Sequence, residues 1–142
     1  MVESWGGGAG DPVGGHPLEM VLTLGEGTDI SEGRRAAMRF LCEQNRFSRG
    51  ERAVQDTMLV VSELVTNVLK YAPGPGLLRV GMVEGAIRVE VWDSDSVLPA
   101  ARGTDPGRIG QHGLEIVARL TRSLAFDTTA VGKRITAEIA LS

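Results

Sequence analysis

The sequence predicts an α+β fold, a two-layer α/β sandwich in which helices cover one face of a mixed, mostly antiparallel sheet. Two stretches, 77–92 and 124–141, show the alternating apolar pattern of β-hairpins, and three others show helical periodicity. The helical stretches are segregated between the strands rather than following each strand in turn, which is typical of α+β folds. With 142 residues, of which 42% are apolar and 23% charged, the chain is suited to a single domain.

The domain is predicted to occupy 18–142 and to follow a flexible tail at 1–17. Glycine and proline dominate the tail, and such a composition buries too little apolar surface to compensate for the entropy lost on ordering. The domain opens with a loosely alternating stretch at 18–24, which is predicted to be its first strand.

The first helix is predicted to run to about residue 45. Asp29 or Ser31 is its candidate N-cap, because a short polar side chain there can accept a hydrogen bond from a free backbone amide. We interpret its arginines as a solvated face or, alternatively, as a surface for a partner: Arg34, Arg35 and Arg39.

The strongest helical pattern extends from residue 51 to about residue 72 and is ended by Pro73 and Gly74. One stripe of this helix is apolar and is predicted to face the core: Val54, Val61, Val65, Val68 and Ala72. The opposite stripe is polar, with the apolar neighbours Leu59, Val60 and Leu64: Asp56, Glu63, Asn67 and Lys70. A polar strip between apolar shoulders favours a pocket wall, although a solvated face has the same pattern.

The later elements follow from turn signals. Two alternating runs, 77–83 and 86–92, flank Glu84-Gly85 and predict a hairpin whose second strand ends at Asp93. The connection 94–109 is long and aperiodic, so we expect a functional lid. Helical periodicity returns at 113–123.

The last element is a predicted hairpin of 124–129 and 133–141 around Val131-Gly132.

Charge and cysteine content exclude several classes of protein. The formal net charge is -3, the pI is about 5.4, and no run of Lys or Arg forms a basic patch, so we expect no nucleic acid partner. Cys42 is the only cysteine, which excludes an intramolecular disulfide and a cysteine-rich metal site. Since there is no export segment and no apolar run of about 18 residues, we expect a cytoplasmic protein without membrane contact.

Three separate groups of residues have the chemistry of a nucleotide site. Glu63 and Asn67 are four residues apart and share a helix face, so an amide oxygen for a metal ion would lie one turn from a possible base. Asp93 can accept a hydrogen bond from an adenine amino group. A glycine-rich helix start at 110–114 offers free backbone amides to phosphate. Because Mg²⁺ prefers few protein ligands, Asn67 alone is sufficient.

From 18 to 141 the chain resembles the Bergerat-fold superfamily of histidine-kinase-like ATPases, and more narrowly the anti-sigma regulatory factor serine/threonine kinases. The most specific match is 61–67, Val-Ser-Glu-Leu-Val-Thr-Asn, which resembles the N box of that family. Val91-Trp92-Asp93, followed by Pro99, looks like the first glycine box, and 110–117 looks like the second.

The resemblance implies a role for each matching residue. It implies Asn67 as Mg²⁺ ligand, Glu63 as general base or orienting group, and Asp93 as the adenine reader. Gly110 and Gly113 would lie at the phosphates, with Leu114 beside them as a further nucleotide-binding residue. ATP and Mg²⁺ are then the implied cofactors.

The implied activity is transfer of the γ-phosphoryl group to a serine of an anti-sigma factor antagonist. The implied partners are that antagonist, a sigma factor that the protein sequesters, or both, and a homodimer is consistent with the family.

The chain also departs from the family pattern. Ser94-Asp95 stands where a glycine is usual, Gln111-His112 replaces a common Gly-Arg, and Tyr71 replaces a common His. Arg134 occupies the place of a Thr near the adenine. These departures leave open a partner-binding module with weak or lost nucleotide binding. The broader superfamily resemblance also allows an ATPase whose hydrolysis drives a conformational change.

Overall fold

The structure is a computed structural model that describes residues 18–25, 27–44, 46–71, 74–94, 109–130 and 132–141. The elements follow one another in this order: β1 (Glu19–Leu24), α1 (Ile30–Cys42), α2 (Arg52–Tyr71), β2 (Gly76–Val83), β3 (Ala86–Asp93), α3 (Ile109–Leu120), β4 (Ser123–Thr129) and β5 (Gly132–Ala140). The predicted tail at 1–17 and almost all of the predicted lid, 95–108, lie outside the described residues.

The described strands form one sheet in the order β1-β2-β3-β5-β4. Each neighbouring pair is antiparallel, and the helices pack on one face, so the predicted α+β two-layer class is confirmed. The turn between β2 and β3 contains Gly85 with φ of 76°, a left-handed conformation that glycine adopts without a steric penalty. This explains why Glu84-Gly85 was a reliable hairpin signal.

Helix α1 begins with a complete capping box at Asp29, one of its two candidate caps. The Asp29 carboxylate accepts a hydrogen bond from the backbone amide of Glu32 at 3.0 Å, and the Glu32 side chain accepts one from the amide of Asp29 at 3.0 Å. The pKa of Asp29 lies below its ordinary value. The largest cause is the hydrogen bond that its carboxylate accepts from the Ser31 hydroxyl, and the next is the one from the Glu32 amide. The helix ends at Cys42, earlier than predicted.

Helix α2 lies at the centre of the molecule and contacts α1, α3, β3 and β5. The predicted apolar stripe is buried over its described members: Val54, Val61, Val65 and Val68. Val60 and Leu64 are also buried, whereas Leu59 is 49% exposed. The core is therefore wider than one stripe, because α1 and α3 cover the shoulders of α2 as well as the side that faces the sheet.

Helix α3 differs from its prediction. It runs from Ile109 to Leu120, whereas the periodicity predicted 113–123. The early start places the glycine-rich stretch inside the helix rather than before it. Among the described residues, no helix is long and apolar enough to cross a membrane.

Candidate functional site

The polar strip of α2 carries the predicted pair of Glu63 and Asn67. Asn67 is only 5% exposed and Glu63 is half-buried, so neither is part of a solvated face. Within the described part of the chain, the Asn67 amide makes no side-chain hydrogen bond. An amide oxygen in this position has the chemistry of a Mg²⁺ ligand.

Gly113 of α3 lies directly against Glu63. A Cβ atom added at Gly113 would collide with Oε1 of Glu63 and lie 3.0 Å from its Cδ. The close approach of α3 to α2 at this point depends on the missing side chain of Gly113. The structure thus brings together the predicted base and the second glycine box, which are 50 positions apart in the sequence.

The helix boundary changes what the glycines of α3 can do. Gly110 is the second residue of α3, within the first four residues, whose amides have no acceptor inside the helix. Gly113 is the fifth residue and lies beyond them, where it packs closely on Glu63. Its expected place at the phosphates stays a prediction. Leu114 is half-buried and packs against the core.

Asp93, at the end of β3, is part of a buried ion pair. The Lys133 ammonium nitrogen lies 3.0 Å from Oδ1 and 2.9 Å from Oδ2 of Asp93. Each residue is only 1% exposed. Asp93 and Lys133 are register partners on the neighbouring strands β3 and β5, so the pair is part of the strand pairing itself.

Gly76 connects this ion pair with the turn of α2 that carries Asn67. A Cβ atom at Gly76 would lie 3.3 Å from Cγ1 of Val68 and 3.7 Å from Cα of Asp93. Val68 follows Asn67 directly. The described site residues therefore lie at one end of the interface between the helices and the sheet. Glu63 and Gly113 lie where α2 meets α3, and Asp93 lies on the sheet.

Lys133 was not among the residues predicted for the site. Strand alternation contained the signal, because Lys133 has the same parity as Ile135, Ala137 and Ile139, which are buried on the face of β5 toward the helices. A lysine in that series must be buried and needs an anionic partner. The register that identifies Asp93 as this partner comes from the structure.

Arg134, which stands where the family has a Thr near the adenine, lies on the other face of the sheet. There it lines a cavity of about 510 Å³ together with Trp92 and Leu77, and its guanidinium is 3.4 Å from the carboxylate of Asp127. Its side chain points away from the helices, because consecutive side chains of a strand point to opposite faces.

The donor atoms at the α2 end fit a Mg²⁺ nucleotide complex. The single amide oxygen of Asn67 is sufficient, because Mg²⁺ takes most of its ligands from water and phosphate oxygens. Among the residues that the structure describes, no group of three or more His, Cys, Asp or Glu side chains could hold a metal ion. At Asp93, where the adenine would bind, the fit is incomplete, because the carboxylate is already paired with Lys133.

Comparison with known proteins assigns the chain to a family. Residues 27–139 match the protein family described as histidine kinase-like ATPase domain. Among solved structures, the chain is similar to the histidine kinase domain from the Erythrobacter litoralis EL346 blue-light activated histidine kinase, with 22% sequence identity and a TM-score of 0.49. The similarity covers 75% of this chain and 63% of the histidine kinase domain, so this chain spans less than two thirds of the length of that domain. No curated protein sequence matches the chain.

Proposed function

This chain belongs to the histidine kinase-like ATPase domain family, and we propose that it binds ATP with Mg²⁺ and phosphorylates a serine of an anti-sigma factor antagonist. Sequestration of a sigma factor is part of the same proposal. The observation that carries it is the contact between Glu63 and Gly113, one helix turn from Asn67. This contact joins the N box and the second glycine box, the two motifs on which the resemblance to anti-sigma factor kinases depends.

In this proposal each residue of α2 has a separate task. Asn67 would hold Mg²⁺ through its amide oxygen, and the ion would supply charge neutralisation at the phosphates. Glu63 accepts the proton of the substrate serine hydroxyl as its oxygen attacks the γ-phosphorus, and ADP leaves. Glu63 is half-buried against Gly113, and this contact limits the positions that its carboxylate can adopt. Such positioning supplies much of the rate in phosphoryl transfer.

Transfer of radiolabelled γ-phosphate from ATP to a purified antagonist protein tests the proposal. We expect Glu63→Gln to reduce transfer by about 100-fold or more, the usual scale for a general base, while calorimetry shows that MgATP binding is retained. Asn67→Ala should instead weaken binding in the presence of Mg²⁺. Glu43→Gln makes the same chemical change at the exposed residue that follows α1 and should leave transfer unchanged. Normal transfer by Glu63→Gln would remove Glu63 from the reaction.

A second candidate function is a partner-binding module without catalysis. The buried pair of Asp93 and Lys133 favours it, because the carboxylate proposed to read the base is already engaged. A thermal shift experiment separates the two functions, since a ligand at a hundred times its Kd stabilises the folded protein by about 2.7 kcal/mol. A clear shift with MgATP supports the first function, and no shift at millimolar MgATP supports the second.

The partner and the oligomeric state are further parts of the proposal. Arg34 on α1 donates a hydrogen bond to the Ser62 hydroxyl at 3.3 Å, so the arginine-rich face of α1 adjoins the helix that carries Glu63. This position suits an acidic surface of a sigma factor or antagonist. Light scattering over a range of protein concentrations tests the homodimer. A constant monomer mass would exclude a homodimer without affecting the catalytic proposal.

A further inference from the structure

The ion pair of Asp93 and Lys133 is the described feature that fits the proposed nucleotide site least well. The Lys133 ammonium bridges both carboxylate oxygens of Asp93, at 3.0 and 2.9 Å. Both side chains are almost completely buried and face the helices, on the side where the nucleotide would bind. Ion pairs of this kind are a weak source of stability, because desolvation opposes much of the attraction between the charges. A role in ligand binding is therefore worth testing.

The main chain at Asp93 is closely packed on both sides. A Cβ atom at Gly132 would collide with the carbonyl oxygen of Asp93 and lie 3.0 Å from Cα of Ser94. A Cβ atom at Gly76 would lie 2.7 Å from the carbonyl oxygen of Trp92. These contacts fix the backbone that carries Asp93, whereas the carboxylate itself is contacted by the flexible side chain of Lys133. A base that approaches the carboxylate therefore meets a cation that can move aside.

This inference rests on the proposed function: we propose that Lys133 determines nucleotide affinity and base specificity by occupying the place of the adenine amino group at Asp93. The ammonium and the exocyclic amino group are both N–H donors that require the same buried carboxylate. Adenine nucleotides bind to the fraction of molecules in which Lys133 has left Asp93. The apparent affinity is reduced by that fraction.

The substitution Lys133→Met tests this competition. Methionine keeps an unbranched apolar stem of similar length and removes the ammonium. The variant leaves Asp93 buried without its cation, so it will be less stable than the wild type and its melting temperature alone is uninformative. The measurements are calorimetric affinities for MgATP and MgITP. The base of ITP has an oxygen where adenine has the amino group and cannot donate the competing hydrogen bond.

We expect Lys133→Met to bind MgATP about tenfold or more tightly than the wild type, the scale of one hydrogen bond to a charged group. Binding of MgITP should change much less, so discrimination between the two nucleotides increases. Arg39→Met, at an exposed arginine in the last turn of α1 and outside the proposed nucleotide site, is the matched control and should change neither affinity. If Lys133→Met does not fold, Lys133→Gln is the second variant. Its amide can still donate to Asp93, and a smaller gain for MgATP is expected.

The possible outcomes separate this inference from the proposed function. If the wild type binds MgATP and the Lys133 variants bind it no more tightly, the competition is overturned and the proposed function stands. An equal gain for MgATP and MgITP would also overturn it, because Lys133 would then exclude the whole base rather than replace its amino group. If neither the wild type nor the variants bind MgATP at millimolar concentration, the proposed function fails as well.

Discussion

Gly113 is the residue at which α3 approaches the carboxylate of Glu63, and the atoms it meets determine what a larger residue would do there. Those atoms belong to the end of a glutamate side chain, which can rotate away. The neighbour of Gly76 is the carbonyl oxygen of Trp92 in β3, which cannot move without disturbing the sheet. The same substitution at these two glycines therefore has different consequences.

The substitution Gly113→Ala is predicted to displace Glu63 and to leave the fold intact. Alanine favours a helix interior over glycine by about 0.5–1 kcal/mol, which compensates for the rearrangement of one side chain. The free energy of unfolding, measured with urea, should therefore change by no more than about 1 kcal/mol. Phosphoryl transfer should fall to about the level of the Glu63→Gln variant. Adding Gly113→Ala to Glu63→Gln should cause no further loss, because the two changes affect the same group. Full activity in Gly113→Ala would contradict the prediction.

At this scale the sequence predicts residues that share one element, but not residues that meet across elements. Glu63 and Asn67 were predicted from helical spacing alone. Lys133 was missed because its partnership with Asp93 depends on the register of β3 and β5. The contact of Gly113 with Glu63 likewise depends on the packing of α3 on α2. The same packing compensates for the low helix propensity of the glycines in α3.

At the scale of elements, long periodic patterns and tight turns were predicted well. Helix α2 was predicted to within about one residue at each end, since its apolar spacing persists along the whole helix. The hairpin of β2 and β3 was predicted from Glu84-Gly85. Helix α3 was predicted four residues too late, because glycines are a loop signal in sequence even where packing favours a helix.

The burial of α2 leads to a prediction that compares two leucines of one helix. Leu64 is 0% exposed and Leu59 is 49% exposed. Leu64→Ala creates a cavity where α2 meets its neighbours and should lower the free energy of unfolding by about 2–5 kcal/mol. Leu59→Ala should change it by no more than about 0.5 kcal/mol, because little buried surface is lost. Urea denaturation measures the change in the free energy of unfolding for each variant. Changes of similar size would contradict the prediction, because Leu64 and Leu59 would then be buried to a similar extent.

At the scale of the whole molecule, the sheet face away from the helices is held together by charges. Glu138 on β5 accepts hydrogen bonds from Arg88 of β3 at 3.0 and 3.1 Å, and from Arg122, just before β4, at 3.1 Å. Arg122 also donates to the carbonyl oxygen of Glu84 at 3.0 Å, in the turn between β2 and β3. A single carboxylate thus connects β5 with β3 and with the residue just before β4, and Arg122 extends this network to the turn between β2 and β3.

This arrangement makes the stability of the molecule depend on pH in a defined direction. Burial by itself would raise the pKa of Glu138, but the hydrogen bonds from Arg88 and Arg122 outweigh it and hold the pKa below its ordinary value. The stabilisation is complete above the pKa of a glutamate in the unfolded chain, about 4.3. It is lost as the pH falls through the lower pKa of the folded protein, because the proton then binds to the native carboxylate.

The variant Glu138→Gln should therefore be less stable than the wild type at neutral pH and equally stable in acid. The Glu138 side chain is 16% exposed, and its arginine partners are 25% and 42% exposed, so solvent weakens the interaction. We expect a difference of about 1–2 kcal/mol at pH 7, the scale of hydrogen bonds to a charged group. In urea unfolding the difference should shrink as the pH is lowered from about 5 toward 3. Glu43→Gln at the exposed end of α1 should differ little from the wild type throughout. A difference for Glu138→Gln that persisted at the lowest pH would show that the side chain stabilises the sheet by packing and not by its charge.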